Sequence, residues 1–473
     1  MDDKNRQLSA MVGEDGVSCA PEALAGYATD QSCVPGIAPR HIVRPKNAGQ
    51  VQDLVKWANK TATPLIPVSS GPPHFNGDTV PSVAEAVIVD LSLMKAILKV
   101  DPRNRMVVVE PGVTYAELEP ALAGHGLRIA RPLLPRPNKS VVASLLERQP
   151  TTIPRLNYSL PEPLRVCGVV WGTGDLAFTG EAGMGPLSLE SQWKAGLAQV
   201  NQQGPLATDL MRLLTGAQGT MGIVVWASIK CQLLPAVKKR FVVAAPAIED
   251  LVEFCRKVER LKLGDEVLVL NRARLAAALG QTGQGSPELP AWLALIGASG
   301  AALYPKEKLD LQEQELRAAA AEYGLDLGVA SPEIAALCDA CRGTMTPRHD
   351  IFFLTTLDKV SGFVETVLEM AMRIGYPRDR IGIYVQPQHQ GVSQHVEFTI
   401  LYDAPDKGAS ALAERFFREA SEALIAQGAY FSRPYGPWAD LVYSRDATAT
   451  RVLRTVKRIL DPANVMNPGK LCF

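Results

Sequence analysis

The chain carries no net charge, with 49 lysines and arginines set against 49 aspartates and glutamates over 473 residues. That balance leaves no electrostatic case for nucleic acid or an anionic membrane as a partner. Long apolar runs are missing too: none approaches the roughly 20 residues of a membrane-spanning helix, so no membrane insertion is expected. The polar start MDDKNRQ lacks a signal peptide's apolar core, and the expected compartment is the cytoplasm. The eight cysteines are mostly scattered, as in a reducing compartment. Only Cys338 and Cys341 have redox-motif spacing. They lie in the Ala-rich, helix-like SPEIAALCDACRGT with no second CxxC and no histidine close by. Half-buried helix cysteines are expected there, and no metal site.

What is present is apolar content, 47% of the residues, in a chain longer than one hydrophobic core usually serves; two domains follow. The stretch from Leu65 to Tyr115 organises the rest. A short apolar strand, Leu65 to Val68, runs into the loop Ser69-Ser70-Gly71-Pro72-Pro73-His74-Phe75-Asn76-Gly77-Asp78. Two more apolar stretches follow, Ala86 to Asp90 and Met106 to Glu110. The segment VVVEPGVTYAELEPAL reads as strand, Pro-Gly turn and helix, with Thr114 as N-cap and Glu117 three residues on. A Gly-bearing turn between buried strands can bring backbone N–H groups against a phosphate; on spacing alone, two ordinary αβ connections describe it better.

Upstream, HIVRPKNAGQVQDLV reads as strand, turn and a helix with apolar positions 51, 54 and 55. Residues 128–165 are broken by seven prolines, and only Ser140 to Arg148 looks helical. Order returns at Val166 to Phe178. Small residues then precede a β-branched strand in GAQGTMGIVVWASIKCQLLP, a pattern that lets backbone approach a flat group closely. From about Val237 to Gly428, strands at Phe241–Val243, Val267–Val269 and Ile381–Val385 alternate with Ala-rich helices, as in an antiparallel sheet covered by helices.

Three ordered segments resemble the vanillyl-alcohol oxidase and para-cresol methylhydroxylase family: Val68 to Tyr115, Gly216 to Pro235, and the ending DPANVMNPGK at Asp461 to Lys470. The resemblance implies an α+β fold. Residues 1–236 would form the two-subdomain FAD-binding domain, 237–430 a cap or substrate domain, and 431–473 the return to the FAD. It implies FAD in extended form, contacted by Ser69, Ser70, Gly71, His74, Asn76, Gly77, Pro111, Gly112, Gly219, Gly222, Ile223, Asn467 and Lys470. The chain departs from the family at Pro72 and Pro73, where the usual loop is rich in glycine and asparagine. Each proline removes a backbone donor.

At the catalytic end the resemblance implies that Arg433, in GAYFSRPYGPW, polarises the substrate oxygen beside the flavin. A guanidinium is always charged and forks onto carboxylate or phenolate oxygens. The tyrosine that relatives carry next to this arginine is replaced by Ser432, with Tyr430 and Tyr435 as displaced substitutes. The partner tyrosine of the loop is replaced by Asn76. The family's catalytic aspartate falls near Ser159, flanked by Asn157 and by Glu162, which could substitute. His395 is a candidate proton acceptor. The position of covalent flavin attachment in some relatives is Val396 here, so FAD is expected to be non-covalent.

The implied activity is hydride transfer from a small hydroxylated, phenolic or aromatic-alcohol-like substrate to FAD. Two alternatives stand beside it: a 2-hydroxy-acid dehydrogenase of the glycolate or D-lactate type, with Arg433 gripping a carboxylate, and a degenerate, non-catalytic subunit supporting an active paralogue. Expected partners are the small-molecule substrate and an electron-acceptor protein or paralogous flavoprotein subunit, in a homo- or hetero-oligomer.

Overall fold

The computed structural model describes residues 3–155, 162–186, 188–197, 199–204, 208–281, 288–341 and 347–473. Three larger sheets and a two-stranded ribbon, Leu127–Arg128 with Gln232–Leu233, account for the architecture of the described residues. The first orders Val17–Ser18, His41–Val43, Val87–Asp90 and Leu65–Val68, the last three parallel. Helix Ala48–Thr61 provides the crossover that parallel strands require. The Asn47 side chain accepts from the Gln50 amide at its start, and Val51, Leu54 and Val55 are buried as their spacing indicated.

The second sheet is antiparallel, in the order Ile97–Asp101, Met106–Val109, Gly222–Lys230, Leu164–Trp171, Leu176–Phe178. Helix Tyr115–Ala123 packs on it and begins with a full capping box: Thr114 accepts from the Glu117 amide and Glu117 reaches back to Thr114. The helix read between Ser140 and Arg148 is observed at Val141–Leu146, with Ser140 as its N-cap.

The third sheet has seven antiparallel strands: Leu327–Val329, Val237–Ala245, Trp292–Gly300, Glu266–Asn271, Ile381–Gln388, Ser393–Leu401 and Arg348–Thr355. Alternation divides each strand between two faces. Phe241, Val243, Val267, Ile383, Val396 and Phe398 join Phe254, Leu316, Val367 and Phe416 of four helices in one core. Those helices are Glu249–Arg260, Pro305–Glu322, Val360–Ile374 and Lys407–Ala426. The opposite face carries Leu268, Leu270 and Tyr384, packed on Leu133 and Leu134 of the proline-rich segment. An α+β fold with a helix-covered cap sheet is what the sequence indicated.

Two details differ from the reading of the sequence. Helix Pro332–Ala336 ends before Cys338, so the CxxC pair occupies a turn; Cys338 is buried and Cys341 half-buried, and all eight cysteines are free. Tyr430, expected near the site, joins the edge of the cap sheet through backbone bonds to Leu354. No helix among the described residues is long and apolar enough to cross a membrane.

The chain returns to its start at the C-terminal end. The Leu65 amide donates to Val465 O (2.7 Å), and the Asn467 amide donates to Leu65 O (2.9 Å). Asn467 Nδ2 donates to Asp78 O (2.9 Å) and Gln218 O (2.7 Å). Buried Lys457 fixes this junction by donating to Thr220 O, Met466 O and the Asp461 carboxylate. An ammonium has three donors, and all three are used.

Candidate active site

Residues of all three sheets line a cleft. One end lies against Leu91, Pro111 and the start of the strand Gly222–Lys230; the other reaches the polar face of the cap sheet. Gly219 has φ +70°, and a Cβ there would come within 2.5 Å of Pro67. Backbone therefore approaches the cleft wall at this point as no side chain would allow. Gly219, Gly222 and Ile223 all line the wall.

The loop after Leu65–Val68 forms the middle of the cleft. Ser69, Ser70, His74 and Asn76 line it; Gly71 and Gly77 do not. The Gly71 amide donates to Asn138 O (3.0 Å), and the Gly77 amide to Asp30 (2.6 Å). Gly112 is likewise spent on packing, its amide bonded to Met94 O (2.7 Å). Asn467 braces the wall through the two carbonyls named above, and Lys470 lines a separate recess with Ser82 and Glu414.

His74 is buried, stacks on Tyr27 at 5.9 Å, and has a buried Nε2 without a hydrogen-bond partner. Burial, then the charges of Arg136 and Lys139, push its pKa down to about 4, so the ring is neutral. Asp78 shifts the other way, up to about 7. Burial is the main cause, followed by Glu147 and opposed by Lys139.

At the cap end, a row crosses three strands in register: Phe352, Glu397 and Tyr384 stand directly opposite one another. Arg274 projects from helix Arg272–Ala278 and bonds Glu397 at 2.7 Å. Arg348 bonds Asp350 at 2.7 Å, and Thr399 donates to the other oxygen of Asp350 at 2.8 Å. Burial alone would raise the Glu397 pKa, but the Arg274 guanidinium, with His395 and Arg348, outweighs it and holds the carboxyl below the usual range. His395 lies one layer behind, its Nε2 3.5 Å from Glu397. Burial keeps it neutral, opposed by Glu397 and reinforced by Arg433.

Arg433 differs from its neighbours. It is 7% exposed and lines the cleft with its guanidinium 4.0 Å above the Phe352 ring, and no described carboxylate pairs with it. A buried cation without a counter-ion is costly, and the open side of this one faces the cleft. Tyr435 lines the cleft two residues on, while the Tyr430 side chain is 63% exposed and lies outside it. Glu162 is also outside, ion-paired to Lys230 at 3.0 Å. The strand Gly222–Lys230 ends beside it. Ser159 and Asn157 fall outside the described residues.

Residues 39–145 match the family model described as FAD binding domain, and residues 356–471 match FAD linked oxidases, C-terminal domain. The chain thus carries matches to both domains of FAD-linked oxidases. It is 22% identical to a mitochondrial D-lactate dehydrogenase [cytochrome] of Arabidopsis thaliana, over 92% of this chain and 73% of the relative. It is 21% identical to the glycolate oxidase subunit GlcD of Bacillus subtilis, over 99% and 96%. The 4-cresol dehydrogenase [hydroxylating] flavoprotein subunit of Pseudomonas putida is 25% identical over 59% of this chain and 51% of its own length. In three dimensions the chain resembles p-cresol methylhydroxylase with substrate bound. The TM-score is 0.81 at 19% identity, over 99% of this chain and 96% of that one.

The residues present fit the flavin that the FAD binding domain match implies. An elongated cleft joins the glycine-walled end to the cap sheet, and a buried, unpartnered imidazole nitrogen and two cationic side chains, Arg136 and Lys139, line its middle. Sequence reasoning missed those cations as well as Arg274, Arg348, Asp350 and Glu397. A signal existed in the strands RHDIFFLT and SQHVEFTIL. Their alternating polar residues look like a solvent face, yet here they face a covered cleft.

Proposed function

We propose that this FAD-linked oxidoreductase oxidises a small hydroxylated carboxylic acid, a 2-hydroxy acid, with non-covalently held FAD. The observation that carries the reading is the buried, unpaired guanidinium of Arg433 at the cap end of the cleft. A planar fork suits a carboxylate, which accepts two parallel N–H bonds. Arg274 and Arg348 are already committed to Glu397 and Asp350, which leaves Arg433 to receive the substrate anion. Relatives aligned over most of this chain include enzymes named for D-lactate and glycolate.

Bound FAD supplies the hydride acceptor. The chain's own residues orient the donor carbon and take the hydroxyl proton. Glu397 lines the cleft in ionised form, placed to accept that proton. Phe352 and Tyr435 exclude water around the anion. Non-covalent attachment is supported by Val396, which is fully buried in the core with the cap helices and points away from the cleft.

A second reading, a phenolic substrate, draws on the aromatic lining of Phe75, Phe352, Tyr384 and Tyr435 and on the likeness to p-cresol methylhydroxylase. Anaerobic mixing with D-2-hydroxy acids and with para-alkylphenols separates the two, because reduction bleaches the flavin band near roughly 450 nm. Bleaching by phenols alone would replace the first reading with the second. Purified protein that is colourless and takes up no FAD would instead favour the non-catalytic subunit.

A further inference from the structure

We propose that the diphosphate of the flavin is held by the side chains of Arg136 and Lys139, which stand in for the backbone donors that Pro72 and Pro73 remove. The assignment rests on the flavin reading above and concerns how this chain, with its altered loop, meets the diphosphate.

Four positions of the loop offer a phosphate no backbone donor. Pro72 and Pro73 have no N–H, the Gly71 amide is spent on Asn138 O, and the Gly77 amide is spent on Asp30. The loop also turns its carbonyls toward the segment 136–138. Arg136 Nη1 donates to Gly71 O (3.0 Å) and to Pro73 O, and Asn138 Nδ2 donates to Pro72 O (2.5 Å). The stretch 71–73 is thus bonded to its neighbour and offers a phosphate nothing.

The residues that bind it do have donors left. A guanidinium has five N–H groups. Arg136 uses those of Nη1, while Nε and Nη2 have no acceptor among the described residues. Arg136 lines the cleft, with its guanidinium 5.2 Å from the Phe75 ring. Lys139 is 6% exposed and lines the same wall. Its ammonium meets Glu147 at 2.5 Å, with two further protons to give. Glu147 is itself held by Gln149, Gln149 by Ser144, and Ser144 by the Tyr115 hydroxyl. The ammonium is therefore fixed in place before any ligand arrives. The buried Nε2 of His74 completes the wall.

Holding a dianion with side-chain cations, beside Glu147 and Asp78, makes affinity sensitive to ionic strength. Flavin-free protein titrated with FAD and with riboflavin, which lacks the diphosphate, reads this directly by flavin fluorescence. Arg136→Gln is expected to weaken FAD about ten- to a hundredfold, the range for a charge-assisted hydrogen bond, with riboflavin affinity unchanged. Because Arg136 also braces the loop, the double variant Lys139→Met/Glu147→Gln, which removes both members of a buried pair, provides an independent test. It should weaken FAD selectively too. Wild-type FAD affinity should fall with added salt more steeply than riboflavin affinity.

Variants that bind FAD as the wild type does, or that lose FAD and riboflavin equally, overturn the assignment while leaving the flavin reading standing. Wild-type protein that binds neither compound overturns both.

Discussion

Replacing Arg433 by alanine separates a substrate role from a structural one, because that guanidinium has no ion-pair partner among the described residues to lose. Among the described residues it meets the ring of Phe352 at 4.0 Å, a cation–π contact worth about 1–2 kcal/mol when desolvated. Against that loss stands relief from a buried, uncompensated charge. The melting temperature of Arg433→Ala should therefore stay close to wild type. An anionic substrate, by contrast, would lose a charge-assisted partner worth about 1.5–3 kcal/mol. That corresponds to a drop of about ten- to more than a hundredfold in kcat/KM. Arg433→Lys should recover little, since an ammonium cannot reproduce the fork. Flavin absorbance should be equal in all three proteins. A second readout needs no turnover: Arg433 helps hold the His395 pKa down, so Arg433→Ala should raise it in an NMR titration. If both variants keep full activity, or if flavin disappears together with activity, the placement of the substrate anion is wrong.

Four further outcomes follow from the same geometry. Tyr430→Phe should leave kcat/KM unchanged, because that phenol is exposed outside the cleft; a large loss would return it to the site. Acid precipitation should leave the flavin in the supernatant, and colour in the pellet would establish covalent attachment. Glu397→Gln strips Arg274 of its buried partner and should cost about 3–5 kcal/mol in chemical denaturation. The depressed Glu397 pKa means this contribution is present above the ordinary carboxylate value and is surrendered only in stronger acid. Asp78 works in the opposite direction. Its carboxyl, up at about 7, faces Glu147 and Asp30, with Lys139 and Lys470 opposing. Deprotonation adds negative charge to the cleft wall, so FAD affinity should weaken as pH rises through that value. Asp78→Asn should flatten the dependence.

The sequence made some of this site legible and hid the rest for physical reasons. Thr114 and Glu117 could be read because a capping box is local, and the helix begins where they place it. The return at Asp461 to Lys470 could be read because the ending DPANVMNPGK carried the resemblance on its own. Arg136 and Lys139 were hidden because the segment around them resembles irregular, proline-broken chain, and their value depends on a loop some 65 residues earlier in sequence. Glu397 and Asp350 were hidden by a real ambiguity. An alternating strand with one apolar face does not say whether water or a cleft covers the other. Tyr430 was misplaced by proximity in sequence to Arg433; the sheet-edge bond to Leu354 turns one inward and the other out.

The junction at Lys457 has a consequence for how the protein is made. Asn467 braces the carbonyl of Asp78 across 389 residues of chain, and Lys457 reaches across 237 to Thr220. On the ribosome, where domains form from the N-terminal side first at about 5–20 residues per second, the first strands wait tens of seconds for the segment that closes their edge. The cleft wall is unfinished throughout that interval. Flavin must then be acquired after synthesis rather than during it, and a truncation before Asp461 should yield a chain that emerges without cofactor even though every residue lining the cleft has been translated.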